Sequence, residues 1–181
     1  MIYAHWKNNS LDHRRTFDLY FRSLPFGNGF AVFAGLERVV NYLQHLRFTE
    51  KDIEYLQSLN EGYEKEFFDY LRSFRFRGNV YGMPEGSIVF PNEPLLRIEG
   101  NVAELHLIET ALLNFIGFHT LVATKAARIR QIAPNDTLLE FGSRRAQEMD
   151  AAIWGARATY IAGFDATSNV AAGQLFGIPI S

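Results

Sequence analysis

The chain has 181 residues, a formal net charge of −2 and no cysteine, and it is 48% hydrophobic and 14% aromatic. That length suggests one domain, or one and a small piece, with enough apolar side chain to bury a sizeable core. There is no basic excess to favour nucleic acid or a membrane surface, and the missing thiols exclude disulfides, a cysteine nucleophile and cysteine-ligated zinc, which fits a cytoplasmic protein.

The opening "MIYAHWKNNS" has no charged segment leading into a long apolar run, so no signal peptide is expected. No apolar stretch reaches the ~18 residues needed to span a bilayer. "RRTFDLYFRSLPF" alternates apolar and polar residues up to Pro25 and reads as a strand. "NGFAVFAG" reads as a second, so Phe17 to Ala34 is expected to form an antiparallel pair around a Pro25–Gly29 turn. "LERVVNYLQHL" has helical apolar spacing, and Thr49 caps a further helix, "TEKDIEYLQSL", whose first turn is acidic where the helix dipole favours it. "EKEFFDYLRSF" is a third short helix. From Gly78 to Asn101, four Gly and three Pro among β-prone runs predict a small sheet with tight turns. Val102 to about Ile132 is helical, with Leu105, Ile108, Leu112, Leu113 and Ile116 on one face and a break at Gly117.

From Asn135 onward, strand, loop, helix, strand and helix alternate: "TLLEF", "DAAIWGARATYIAG", "FDATS", "NVAAGQLFG", with "IPIS" opening a third strand. Short buried strands alternating with helices indicate a parallel α/β unit. The chain stops inside that unit, which suggests truncation, because an open parallel edge is an aggregation hazard.

In parallel α/β folds the active loops follow the C-terminal ends of the strands. The loop after "TLLEF" carries Phe141, Gly142, Ser143, Arg144 and Arg145. Either arginine can clamp a phosphate or carboxylate, and Phe141 can stack on a planar ring. The loop after Phe164 carries Asp165, Thr167, Ser168 and Asn169, whose hydroxyls and backbone N–H groups suit an anion. Each feature also has a structural explanation. Adjacent arginines can be a solvated surface or ion-pair partners of Glu140 or Glu148, the Asp165–Asn169 run can be a helix cap, and Phe141 can be core. The five histidines, His5, His13, His45, His106 and His119, are scattered without ligand spacing, and no metal site is expected. No Walker, HExxH or Ser-His-Asp pattern is present.

Taken in order, "FDLYFRSLPFGNGFAVFAGLE", "PEGSIVFPNEPLLRIEG", "ETALLNFIGFHTLVATKAARI" and "EFGSRRAQEMDAAIWGARATYIAGFDATSNVAAGQLFGIPIS" cover most of the chain and resemble the nicotinate phosphoribosyltransferases. The resemblance implies an α/β fold: an α+β, sandwich-like N-terminal domain with connecting helices over residues 1–132, then the start of an irregular TIM-like barrel over 133–181. It implies transfer of a ribosyl 5-phosphate from phosphoribosyl pyrophosphate (PRPP) to the ring nitrogen of nicotinate, yielding nicotinate mononucleotide and pyrophosphate in NAD biosynthesis. ATP hydrolysis is coupled to this transfer, and Mg²⁺ accompanies the pyrophosphate. The implied protein is a cytoplasmic homodimer with no nucleic-acid or membrane partner. Phe141 would stack on the pyridine ring, Arg144 would bind an anion with Arg145 close by, and Ser168 would receive the nicotinate carboxylate with Thr167 and Asn169 around it. A neutral hydroxyl at 168 suits a carboxylate, which favours nicotinate over nicotinamide; a related nicotinamide or quinolinate phosphoribosyltransferase is the alternative. The chain departs from the family at both ends. It begins after a Thr-Asp-Leu-Tyr-Gln segment, and it ends at Ser181, before the Gly-Thr-x-Ala-His-Ser segment whose histidine ATP phosphorylates. The expected catalytic histidine is therefore absent, and the chain alone is expected to be an inactive or partner-binding fragment.

Overall fold

The computed structural model describes residues 1–24 and 27–181. The chain forms two compact units whose segments interleave in sequence. The first comprises residues 1–18, 37–81 and 97–112. Its helices are α1 (Ile2–Lys7), α2 (Leu36–His45), α3 (Glu50–Ser58) and α4 (Lys65–Ser73). Its sheet has the order β1 (Arg14–Leu19), β5 (Leu96–Asn101), β3 (Asn79–Gly82). Arg97 on β5 donates from Nε and Nη2 to the two carboxylate oxygens of Asp18 on β1, at 2.8 and 2.9 Å. As expected from the sequence, Thr49 caps α3: its hydroxyl accepts from the Asp52 N–H, and the Asp52 carboxylate accepts from the Thr49 N–H at 2.7 Å. The α3–α4 pair buries Ile53, Phe67, Phe68 and Leu71 beneath the rings of Tyr3, Trp6 and Tyr63.

The second unit comprises residues 19–36, 82–96 and 113–181. β2 (Ala31–Val32) pairs antiparallel with β4 (Ile88–Val89), Ala31 facing Val89. α5 (Val102–Ile132) gives its residues up to Leu112 to the first unit and the remainder to the second. Then follow β6 (Leu139–Glu140), a 3₁₀ turn (Ser143–Arg145), α6 (Glu148–Ile161), β7 (Ala166–Thr167) and α7 (Val170–Phe176). β6 runs parallel to β7, Leu139 opposite Ala166, and Ile180 bridges in parallel to Thr167 as a third strand position. The mixed α/β class and the parallel strand–helix alternation at the C-terminal end agree with the sequence reading.

Four expectations are corrected. β1 and β2 do not form a hairpin: β1 pairs in the sheet with β5, and β2 pairs with β4. Of the expected Pro25–Gly29 turn, Pro25 and Phe26 lie outside the described residues. The physical reason is burial. Ala31, Val32, Phe33 and Ala34 are all buried, so this strand does not alternate between core and water. Its N–H groups turn to α5 instead, Val32 donating to the Thr124 hydroxyl at 2.9 Å and Ala34 to the Thr120 hydroxyl at 3.4 Å. The strands between Gly78 and Asn101 do not make one sheet of their own: β3 and β5 join β1, while β4 joins β2. Gly117 does not break the helix. One glycine costs about 1 kcal/mol of propensity, and the buried Leu112, Ile116, Ala123 and Ala126 on either side offset it. Because α5 is continuous over 31 residues, it contains an 18-residue window of mean hydropathy 1.4, long and apolar enough to cross a bilayer by length and composition. Its inner face nonetheless binds protein, and its buried threonines hydrogen-bond the β2 segment.

Thr124 is fully buried, accepts from Val32 and donates to the Thr120 carbonyl at 2.6 Å. Thr124→Val keeps the shape and strands the Val32 N–H, so urea denaturation should show a loss of about 1–3 kcal/mol. A midpoint equal to that of the unaltered chain would contradict this.

Candidate functional site

The C-terminal ends of β6 and β7 open side by side; Phe141, Arg144 and Arg145 follow β6 and Ser168 and Asn169 follow β7, whereas Thr167 lies in β7 itself and Asp165, expected on the same loop, precedes that strand. Leaving β6, the chain turns at Gly142, where a Cβ would lie 2.7 Å from Glu140 Oε1. The next three residues form a 3₁₀ turn, closed by the Arg145 N–H donating to the Gly142 carbonyl at 2.8 Å. Phe141, Arg144 and Arg145 are all exposed, Phe141 at 52%. Among the described residues neither arginine has a side-chain hydrogen bond or ion pair. The carboxylates expected to pair with them are engaged elsewhere. Glu140 accepts from the Thr167 hydroxyl at 2.6 Å and from the Gly142 N–H, and Glu148 accepts from the Asp150 N–H at 3.2 Å. Glu148 itself sits at φ 80°, a left-handed conformation that a non-glycine residue adopts at a cost of roughly 1–2 kcal/mol. Strain is thus concentrated where the arginine loop enters α6.

The second loop leaves β7 at Thr167, which is fully buried. Its hydroxyl donates to Glu140 Oε2 and accepts from the Asn169 N–H at 3.0 Å, so its hydrogen-bonding capacity is used within the protein. Ser168 is half-buried. Its N–H donates to the Glu140 carbonyl at 3.0 Å, while its hydroxyl makes a longer, 3.4 Å contact to the same oxygen and can turn toward another partner. Asn169 is the N-cap of α7, its Oδ1 accepting from the Ala172 N–H at 3.1 Å, and its Nδ2 reaches Ser143 Oγ at 3.4 Å. The two loops therefore touch through Glu140–Thr167, Glu140–Ser168 and Ser143–Asn169. Asp165 faces the other end of the strand pair. It accepts from the Leu138 N–H at 2.8 Å and from Arg130 Nη2 at 2.6 Å, and those two contacts, the backbone one first, hold its carboxyl below the usual range.

Sequence reading missed Glu85, Arg157 and Arg130. Arg157 on α6 donates from Nη1 and Nη2 to the two oxygens of Glu85, at 3.0 and 2.7 Å, with both side chains largely buried. Glu85 Oε1 also accepts from the N–H groups of Gly35 and Leu36 at 2.6 and 3.0 Å. Arg130 donates to the carbonyls of Gly163, Ala133 and Asp136 as well as to Asp165. The only local signal for Glu85 was its turn, "PEG"; nothing local marks a partner 72 residues away. An exposed guanidinium pair beside an exposed ring and a rotatable hydroxyl can hold a planar, anionic small molecule.

Residues 1–117 match the family model of the nicotinate phosphoribosyltransferase N-terminal domain. Among curated proteins, the chain is 52% identical over 181 residues to nicotinate phosphoribosyltransferase of Bacillus subtilis, covering 100% of this chain and 37% of that protein. It is 50% identical over 182 residues to nicotinate phosphoribosyltransferase 2 of Arabidopsis thaliana, covering 99% of this chain and 33% of that protein. The crystal structure of human nicotinic acid phosphoribosyltransferase superposes with a TM-score of 0.93 at 40% identity, over 100% of this chain and 37% of that one. Nicotinate-nucleotide pyrophosphorylase from Pyrococcus furiosus superposes with a TM-score of 0.74 at 27% identity, over 98% of this chain and 38% of that one. The chain spans about a third of the length of the curated relatives it matches.

Burial alone would raise the Glu85 carboxyl; the Arg157 guanidinium and the Gly35 and Leu36 N–H groups outweigh it and hold the group below its ordinary value of 4.5. A depressed carboxyl stabilises the fold above its unfolded value and loses that contribution as pH falls through the folded one. Glu85→Gln is therefore expected to lower stability near pH 7 by about 2 kcal/mol, with the gap to the parent chain closing below about pH 4. Urea midpoints measured from pH 3 to 7 check this, and a gap that does not change with pH would refute it.

Proposed function

The chain belongs to the nicotinate phosphoribosyltransferase family, and from that premise we propose that it serves the transfer of a ribosyl 5-phosphate group from PRPP to nicotinate. The observation that carries this proposal is the exposed Arg144 and Arg145, without an ion-pair partner among the described residues, in the same loop as exposed Phe141 at the C-terminal end of a parallel strand. In the reaction, the lone pair of the pyridine nitrogen forms the bond to ribose C1 as the C1–O bond to pyrophosphate breaks. The nitrogen is already a nucleophile, so no strong base is needed, and the protein's contribution is positioning and charge placement around an oxocarbenium-like centre. Phe141 stacks on the pyridine. Arg144 takes the phosphate or ring-proximal anion, with Arg145 close by. Ser168 turns its hydroxyl to the nicotinate carboxylate, with Asn169 and Thr167 shaping the loop around it. The lightly held Ser168 hydroxyl supports that role.

The family resemblance extends the proposal to coupling with ATP, Mg²⁺ on the pyrophosphate, a cytoplasmic homodimer, and a barrel domain that begins at residue 133. Among the described residues, no group of three or more His, Asp or Glu side chains could hold a metal ion. A second reading is a phosphoribosyltransferase for a related pyridine, nicotinamide or quinolinate; the chain also superposes on the Pyrococcus furiosus nicotinate-nucleotide pyrophosphorylase, a protein that carries a different name.

Nicotinate mononucleotide at a hundred times its Kd should stabilise the chain by about 2.7 kcal/mol, seen as a raised unfolding temperature. Arg144→Ala should remove that shift, and Ser168→Asp should lower the preference for nicotinate over nicotinamide. An unresponsive parent chain would overturn the proposal, and a stronger response to quinolinate would select the second reading.

A further inference from the structure

Glu140 is an acidic side chain four and five residues before two arginines that the proposed function needs free. Left to itself, a carboxylate so close along a short loop is the natural ion-pair partner for Arg144 or Arg145 and a direct competitor for any anion they bind. It does not pair with them. Oε2 accepts the hydroxyl proton of Thr167 at 2.6 Å, and Oε1 accepts the Gly142 N–H. Thr167 is fully buried and cannot be displaced by water, and its hydroxyl is itself aligned by the Asn169 N–H at 3.0 Å. Gly142 can approach only because it has no Cβ, which would lie 2.7 Å from that same Oε1. The Glu140 carbonyl is also taken, by the Ser168 N–H at 3.0 Å. One carboxylate oxygen is thus held by β7 and the other by the backbone at the entry of the arginine turn.

We propose that Thr167 and Gly142 form a lock that withholds the Glu140 carboxylate from Arg144 and Arg145, so that the arginines keep their affinity for a phosphorylated ligand. In this scheme Thr167 serves as a positioning residue that need not touch the ligand. The lock rests on the anion-binding role given to the two arginines above, and it differs from an arrangement in which the Thr167 hydroxyl contacts the ligand.

The two can be separated because removing the competitor should rescue the loss of the lock. In the full chain, Thr167→Val preserves shape but frees Oε2, and it should weaken nicotinate mononucleotide and inorganic phosphate at least tenfold by calorimetry. Adding Glu140→Gln to Thr167→Val should restore most of that affinity, since an amide cannot pair with a guanidinium as a carboxylate does. Without ligand, the NMR signals of the Arg144 and Arg145 guanidinium groups should change between the parent and Thr167→Val, and return in the double variant. A double variant that binds as weakly as Thr167→Val would overturn the lock and give the hydroxyl to the ligand. Guanidinium signals unaltered by Thr167→Val would overturn it even if no ligand binds. Failure of the underlying site looks different: the parent chain, Arg144→Ala and Arg145→Ala would then respond identically to both anions.

Discussion

The second unit is organised around one desolvated ion pair. Arg157 meets Glu85 with both nitrogens of its fork, and Glu85 in turn holds the N–H groups of Gly35 and Leu36. A buried pair of this kind gains little over a well-packed apolar alternative, but breaking it leaves an unpaired charge in a low dielectric, so the fold is committed to it. The commitment fixes three chain segments at one point: the end of the β2 segment, the turn before β4, and α6. Gly35 at φ 108° belongs to the same constraint, because an added Cβ would lie 3.1 Å from the His119 ring. Arg157 also lies 5.6 Å over the ring of Phe176, which packs on Trp154, so the pair reaches the end of α7.

With α6 held, the short parallel pair β6–β7 is clipped at both ends. At its start, Arg130 and Asp165 close a ring of hydrogen bonds over Leu138, Gly163 and Asp136. At its finish, Glu140 reaches across to Thr167 and Ser168. Two residues of strand on each side would not set a register unaided. The polar clips set it, and register decides which side chains emerge at the loop end. Phe141, Arg144 and Arg145 leave that fixed edge exposed to solvent.

The electrostatics follow the same division. Carboxylates that build the scaffold, Glu85, Asp165 and Asp18, carry depressed values because hydrogen-bond donors converge on them. Both oxygens of Glu140 are occupied by protein donors, Thr167 and Gly142. Among the described residues the two arginines of the loop have no carboxylate partner, which is the arrangement an anion site needs.

Local chemistry carried far in the sequence. The Thr49–Asp52 capping box, the amphipathic stretch that becomes α2, and the alternation of short apolar runs with helices after Asn135 each arise from neighbours in the chain, so they were legible without coordinates. The loops carrying Phe141, Arg144, Arg145 and Ser168 were placed correctly after their strands for the same reason. What the sequence could not decide was partnership. Whether Val32 bonds to β1 or to Thr124, whether Gly117 ends a helix, and whether Glu140 pairs with the arginine next door or with a threonine 27 residues away depend on which groups are desolvated together. Desolvation is a property of the packed chain. It makes distant hydrogen bonds obligatory while leaving adjacent charges apart, and only the tertiary structure determines where it falls.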